Sequence, residues 1–139
     1  ANLLMETLPS IINGTNDRIK QNNDEATYAY NISREDEHID FNDVAINIYN
    51  KVRGLNPWPG AYMIINGEEI KVIDCFIGEE NSNFSSGTVC VIDKGKFGVC
   101  AKDKVIYIKT VKPAGKRQMD ISDYINGIKR EDVLNTICE

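Results

Sequence analysis

Between positions 93 and 117, eight cationic side chains (Lys94, Lys96, Lys102, Lys104, Lys109, Lys112, Lys116 and Arg117) face only two acidic ones, Asp93 and Asp103. Ammonium and guanidinium groups at that density create a local positive field, and the chemistry such a field performs is the holding of phosphates. The rest of the chain runs the other way. Residues 1–50 carry 3 Lys and Arg against 9 Asp and Glu, residues 51–84 carry 3 against 5, and residues 85–139 carry 10 against 7, within a formal net charge of −5. The overall sign argues weakly against a nucleic-acid partner, while the local cluster argues for one. A lysine-rich sheet edge that resists aggregation is the competing reading of the same residues.

Bond-making chemistry has less to build on. His38 is the single histidine, and in "REDEHIDF" no serine or cysteine nucleophile stands beside it, so it reads as a solvated surface imidazole. Glu35, Asp36, Glu37 and Asp40 match no calcium-loop spacing, and an acidic connector is the stronger reading. Cys75, Cys90, Cys100 and Cys138 lack C-x-x-C spacing, and three sit in apolar, strand-like runs. They read as reduced, mostly buried thiols, with a cytoplasmic location as the default. No phosphate loop, zinc spacing or dinucleotide fingerprint occurs. No apolar run approaches the roughly 18 to 20 residues that span a bilayer, so no membrane partner is expected. The expectation is a chain that binds, with no catalytic residue, metal or cofactor of its own.

The elements that would position the cations follow from periodicity. "ANLLMETLPSIINGT" places Leu4, Leu8, Ile11 and Ile12 on one helical face, with Pro9 starting a last turn or kinking the helix and Asn13-Gly14 stopping it. Such a helix, in a chain that opens on Ala1 and not methionine, is expected to pack on a preceding domain of a longer protein. Residues 14–41 are polar and acidic and read as an extended connector. "NDVAINIYNKVRGL" predicts a helix capped by Asn42 or Asp40, closed by Gly54, with Val44, Ala45, Ile48, Tyr49 and Val52 as its apolar stripe.

The period then changes to two. "AYMII" and "EEIKVIDCFI" flank Asn66-Gly67, the dipeptide suited to the two positive φ angles of a type I′ turn. Apolar parity shifts between Ile70/Val72 and Ile73/Cys75/Ile77, which predicts a bulge. "GTVCVID", "KFGVCA" and "KVIYIKTV" continue the pattern, with Gly98 hinting at another bend. "DISDYINGI" predicts a short helix capped by Asp120 or Ser122, and "EDVLNTIC" a terminal helical turn. Five coiled strands suit a small closed antiparallel barrel of the oligonucleotide-binding type, mainly β with flanking helices. The domain division expected is 1–41 for the preceding helix and linker and 42–139 for the barrel.

"VRGLNPWPGAY", followed by "GEEIKV", closely resembles the start of the C-terminal domain in the methionyl-tRNA formyltransferase family. Upstream, "EATYAYNISREDEHIDF" is similar to that family's linker; downstream, "GTV", "PAGKRQM" and "DYINGI" fall in the family's order. The resemblance covers nearly the whole chain. It implies a parent enzyme that transfers a formyl group from 10-formyltetrahydrofolate to the amino group of methionyl-initiator-tRNA, with the catalytic Asn, His and Asp in an N-terminal domain. No N-x-H-x-S-x-x-P motif occurs here, and His38 cannot inherit the catalytic role. By the resemblance this chain is the linker plus a barrel that holds tRNA on a basic face, a monomer partnered by initiator tRNA and the catalytic domain. Where family linkers often carry a lysine, this sequence has Asn31. A docking piece indifferent to RNA, and the corresponding module of a nucleotide-sugar formyltransferase, are the alternatives.

The candidate tRNA contacts are Arg53, Lys94, Lys96, Lys102, Lys104, Lys109, Lys112, Lys116 and Arg117, expected along one flank of the barrel. For Arg53 helix-end capping competes with phosphate contact, and for Lys116 and Arg117 phosphate contact is favoured. Asn56, Pro57, Trp58, Pro59 and Gly60 form the structural motif. Pro57 and Pro59 should hold Trp58 on a stiff extended arm, where the indole is expected to pack between helix and barrel in preference to stacking on a base.

Overall fold

The computed structural model describes residues 2–138, and its contacts divide the chain into two compact units, one ending at Asn31 and the other beginning at Ile32. In the first unit α1 (Asn2–Ile12) continues through Pro9. Gly14, at φ +69°, turns the chain out of the helix, and the Thr15 N–H donates to the Ser10 carbonyl at 2.9 Å, so Asn13-Gly14 acts as the stop. Leu4, Leu8, Ile11 and Ile12 are exposed. No helix among the described residues is long and apolar enough to cross a membrane.

The second unit is mixed α and β, built on a six-stranded antiparallel sheet: β1 (Ala61–Ile65), β2 (Glu68–Asn81), β3 (Val89–Asp93), β4 (Lys96–Cys100), β5 (Lys104–Pro113) and β6 (Met119–Asp120). The strands run β1-β2-β5-β4-β3, with β6 also on β5. Asn66 and Gly67 take φ of 51° and 79° between the paired Ile65 and Glu68, the geometry the hairpin dipeptide predicts. Register shifts between Val72 and Cys75 are the bulge foretold by the parity change.

The expected closed barrel is not formed. Each end of the sheet is occupied by irregular chain: the Ile39 N–H donates to the Tyr62 carbonyl on β1 at 2.8 Å, while Val89 on β3 makes two 2.9 Å hydrogen bonds, donating to Thr136 and accepting from Asn135. Those contacts cover both edges that closure would have joined. They also correct the connector reading for its last ten residues. Ser33 makes a capping box with Asp36 at α2 (Arg34–Glu37), and Ile39 and Phe41 are buried in the core.

One core face holds α3 (Ala45–Leu55), which buries Ala45, Ile48, Val52 and Leu55; a fully buried aliphatic side chain the size of valine or leucine contributes about 1.5–3 kcal/mol. Neither Asn42 nor Asp40 caps α3. Its N-cap position is Val44, whose side chain has no acceptor, and the oxygen comes from far along the chain: Asp103 Oδ1 accepts from the Ala45 N–H at 2.7 Å. Gly54 does not close the helix, which continues to Leu55. Asp120 caps α4 (Ile121–Asn126), and α5 (Arg130–Val133) is the terminal helical turn.

Candidate nucleic-acid interface

After α3 the chain turns back sharply. The Gly60 N–H donates to the Leu55 carbonyl at 2.9 Å, closing a turn over residues 56–59 in which the Asn56–Pro57 and Trp58–Pro59 peptide bonds are cis. Asn56 Nδ2 donates to the Ile73 carbonyl at 3.2 Å, and Lys71 Nζ to the Pro59 carbonyl at 2.6 Å. Gly60 has φ +88°, and a Cβ there would sit 3.4 Å from Lys71 Cδ. The motif is therefore a braced turn and not an extended arm. Trp58 does not pack as expected: it is 84% exposed. The space between α3 and the sheet is already filled by Val52 and Leu55 from the helix and Ala61, Met63 and Val72 from the strands, which leaves the indole outside.

The nine candidate cations separate by strand register. Lys102 and Lys104 flank Asp103 in the β4–β5 turn, where the Lys102 N–H donates to the Asp43 carbonyl at 3.1 Å. Lys112 stands eight residues beyond Lys104 on β5, about 26 Å away at a strand's rise per residue. Lys96 lies one residue beyond the Phe97–Ile108 pair, level with Lys109, and Lys94 is in the adjoining β3–β4 turn. Lys116 and Arg117 occupy the loop that leaves the end of β5. Arg53, near the end of α3, shares a cleft of about 370 Å³ with Asn56, Asp74, Thr110 and Gln118. Seven of the nine thus gather toward the C-terminal half of β5, and Lys102 and Lys104 sit apart at its start.

Not all of the seven are free to meet an anion. Lys109 Nζ is paired with Asp74 at 2.6 Å, and that hydrogen bond raises the lysine above its ordinary range. Arg53 donates to Asn50 Oδ1 at 3.2 Å, with its guanidinium carbon 5.9 Å from the Tyr49 ring centre. Among the described residues, Lys112, Lys116 and Arg117 have no carboxylate within ion-pair reach.

Lys71 is a cation that sequence reasoning passes over. Alternation along "EEIKV" marks it only as outward-facing; its position becomes informative once Lys112 is found directly opposite it on β5. Two like charges facing each other across a sheet are unfavourable.

On the same outer face, toward the other end of β5, Phe76 and Tyr107 stack at 5.1 Å with 17° between their planes. Tyr107 lies in a slot left by two glycines. A Cβ at Gly78 would approach its Cε2 to 2.7 Å, and one at Gly98 would approach its Cε1 to 3.1 Å. Its hydroxyl donates to Glu80 Oε1 at 3.1 Å, so a carboxylate fills the polar end of this patch.

The acidic run is used locally. Asp36 completes its capping box, Glu37 and Glu69 pair with Arg34, and Asp40 accepts from the Asn42 N–H at 2.9 Å. Hydrogen bonding holds Asp36 and Asp40 below the usual carboxylate range. No group of three potential ligands able to hold a metal occurs among the described residues. His38 is not the solvated imidazole expected. Its ring lies 5.1 Å from that of Tyr62, and its Nε2 is enclosed without a hydrogen-bond partner. Cys75, Cys100 and Cys138 are buried and Cys90, although on β3, is half-buried, in keeping with mostly buried thiols, and burial pushes the Cys75 and Cys138 thiols up to about 12.

Comparison with known proteins matches residues 31–129 to the formyl transferase C-terminal domain family. The methionyl-tRNA formyltransferase of Staphylococcus epidermidis is 42% identical over 130 residues, covering 93% of this chain and 42% of that protein. The methionyl-tRNA formyltransferase of Lysinibacillus sphaericus is 44% identical over 126 residues, covering 90% of this chain and 40% of that protein. HypX from Aquifex aeolicus, in a crystal structure with tetrahydrofolic acid, is 17% identical with a TM-score of 0.64, over 97% of this chain and 24% of that one; this likeness concerns the fold alone. The chain spans about two fifths of the length of the curated relatives it matches.

Proposed function

The chain belongs to the formyl transferase C-terminal domain family, and from that premise we propose that it is the tRNA-binding module of a methionyl-tRNA formyltransferase. In the parent enzyme a formyl group passes from 10-formyltetrahydrofolate to the amino group of methionyl-initiator-tRNA. That step belongs to a separate catalytic domain, and no residue of this chain is assigned a part in it. The module's contribution is to hold the tRNA body by its phosphates. The bonded turn after α3 and the bulged β2 give those cations a rigid base.

The observation that carries this reading is the concentration of cations at the C-terminal half of β5, with Lys112, Lys116 and Arg117 facing no carboxylate among the described residues. Phosphate contacts position a nucleic acid without reading its sequence, so affinity should fall steeply with salt. The test is binding of labelled initiator tRNA across a salt series. The plot of log affinity against log salt should slope by several units, and replacing Lys116 and Arg117 together by glutamine should reduce that slope by about two units at most. A slope near zero would remove the reading. The exposed apolar residues of α1 favour a second role alongside it, docking to the catalytic domain.

A further inference from the structure

We infer that Trp58 is a stacking platform for an unpaired RNA base, with the phosphate of that nucleotide held between Lys71 and Lys112. The inference rests on the tRNA-binding reading and names a contact that phosphate binding alone does not require.

Three observations converge on it. First, the indole is 84% exposed on a turn tied down at three points, by Gly60 to Leu55, Asn56 to Ile73 and Lys71 to Pro59. These bonds fix the backbone that carries the ring, so stacking has to order the indole's own torsions but not the loop. Second, Lys71 donates to the carbonyl of Pro59 at 2.6 Å, which bonds an ammonium group to the backbone of the residue that follows Trp58. Third, Lys71 and Lys112 are direct partners in the β2–β5 register, with Cα atoms about 4.5–5.5 Å apart in such pairs. A like-charged pair at that spacing is unfavourable alone and becomes favourable when one anion lies between its members.

An exposed aromatic ring on a turn bonded to one member of a lysine pair offers the two contacts that single-stranded nucleotides need, because every base has a π-face and every nucleotide a phosphate. A protein partner would use the indole but would leave the lysine pair unanswered unless it brought a carboxylate. The second aromatic patch, at Phe76 and Tyr107, fits a nucleotide less well: its cleft sets two carboxylates, Glu79 and Glu80, against the single cation Lys96, so the charge beside the rings disfavours a phosphate.

Trp58 is the only tryptophan in the chain, so its fluorescence reports this site and no other. The experiment titrates the full chain with initiator tRNA, with a single-stranded oligoribonucleotide, and with inorganic polyphosphate, a polyanion without bases. Quenching by the two RNAs and none by polyphosphate at equal charge is the expected result. Trp58→Ala should weaken RNA binding about ten- to a hundredfold, leave polyphosphate binding unchanged, and be largely rescued by Trp58→Phe. The quenching arm needs no substitution and stands even where a variant does not fold. If tRNA binds with a steep salt slope while the fluorescence stays unchanged, the inference falls and the tRNA-binding reading survives. If polyphosphate quenches equally, the contact is electrostatic only and stacking is overturned. A response to a separately produced catalytic domain, with none to RNA, would assign Trp58 to a protein interface instead.

Discussion

The two ends of β5 carry the same residue type in different surroundings. At its start, Lys102 and Lys104 flank Asp103, and the carboxylate serves as the acceptor for the first turn of α3. At its other end, Lys112 faces Lys71, the loop adds Lys116 and Arg117, and among the described residues the carboxylate engaged there is Asp74, on Lys109. The first end is a structural joint whose lysines are incidental to an aspartate. The second is a positive surface with little to neutralise it. A count of lysines along the sequence does not separate these cases; what separates them is which charges the fold sets opposite one another.

That contrast can be tested by breaking each end in turn. Replacing Lys112, Lys116 and Arg117 together by glutamine should weaken tRNA binding by about one to two orders of magnitude at moderate salt and leave the melting temperature nearly unchanged, as equilibrium binding and a thermal melt would report. Asp103→Ala should do the reverse. Loss of the acceptor for Ala45 lowers stability by about 1–2 kcal/mol in denaturant unfolding, with tRNA affinity retained. Neutralising Lys102 and Lys104 to glutamine should change affinity by less than about threefold, since they sit at the opposite end of β5 from Lys112, Lys116 and Arg117.

The smallest effect concerns Asp120, which accepts from the Ser122 N–H at 2.9 Å and is held below its ordinary value of 3.8, first by that backbone hydrogen bond and then by the Ser122 hydroxyl. A carboxyl depressed in the folded state contributes stability that is present above its unfolded value and lost as pH falls through the folded one. The melting temperature should therefore begin to drop below about pH 4, and Asp120→Asn should flatten part of that decline.

Local chemistry is legible in the sequence, and long-range partnership is not. Asn66-Gly67 marks its hairpin because a type I′ turn depends on two adjacent residues, and the parity change near Val72 exposes the bulge because alternation is a local signal. Asp120 is readable as a cap for the same reason. Asp103 is not: it caps a helix 58 residues earlier, and nothing near Ala45 points to it. Strand count favours a closed barrel, but closure depends on what covers β1 and β3, namely Ile39, Asn135 and Thr136 from segments that look like connector and tail. Buried indoles supply so much contact area that Trp58 reads as an interior residue, and its exposure follows from a layer already filled by smaller residues. Charge alone finds the cation candidates; their division into two ends, and the part played by Lys71, require the register of β2 and β5.

The most direct test of the account is an amide chemical-shift map of this 15.6 kDa chain titrated with initiator tRNA. Perturbations centred on residues 56–60, Lys71 and residues 109–118, with the β4–β5 turn at Lys102 and Lys104 nearly silent, are the predicted result. A map centred on the β4–β5 turn, or spread evenly over the surface, would contradict it.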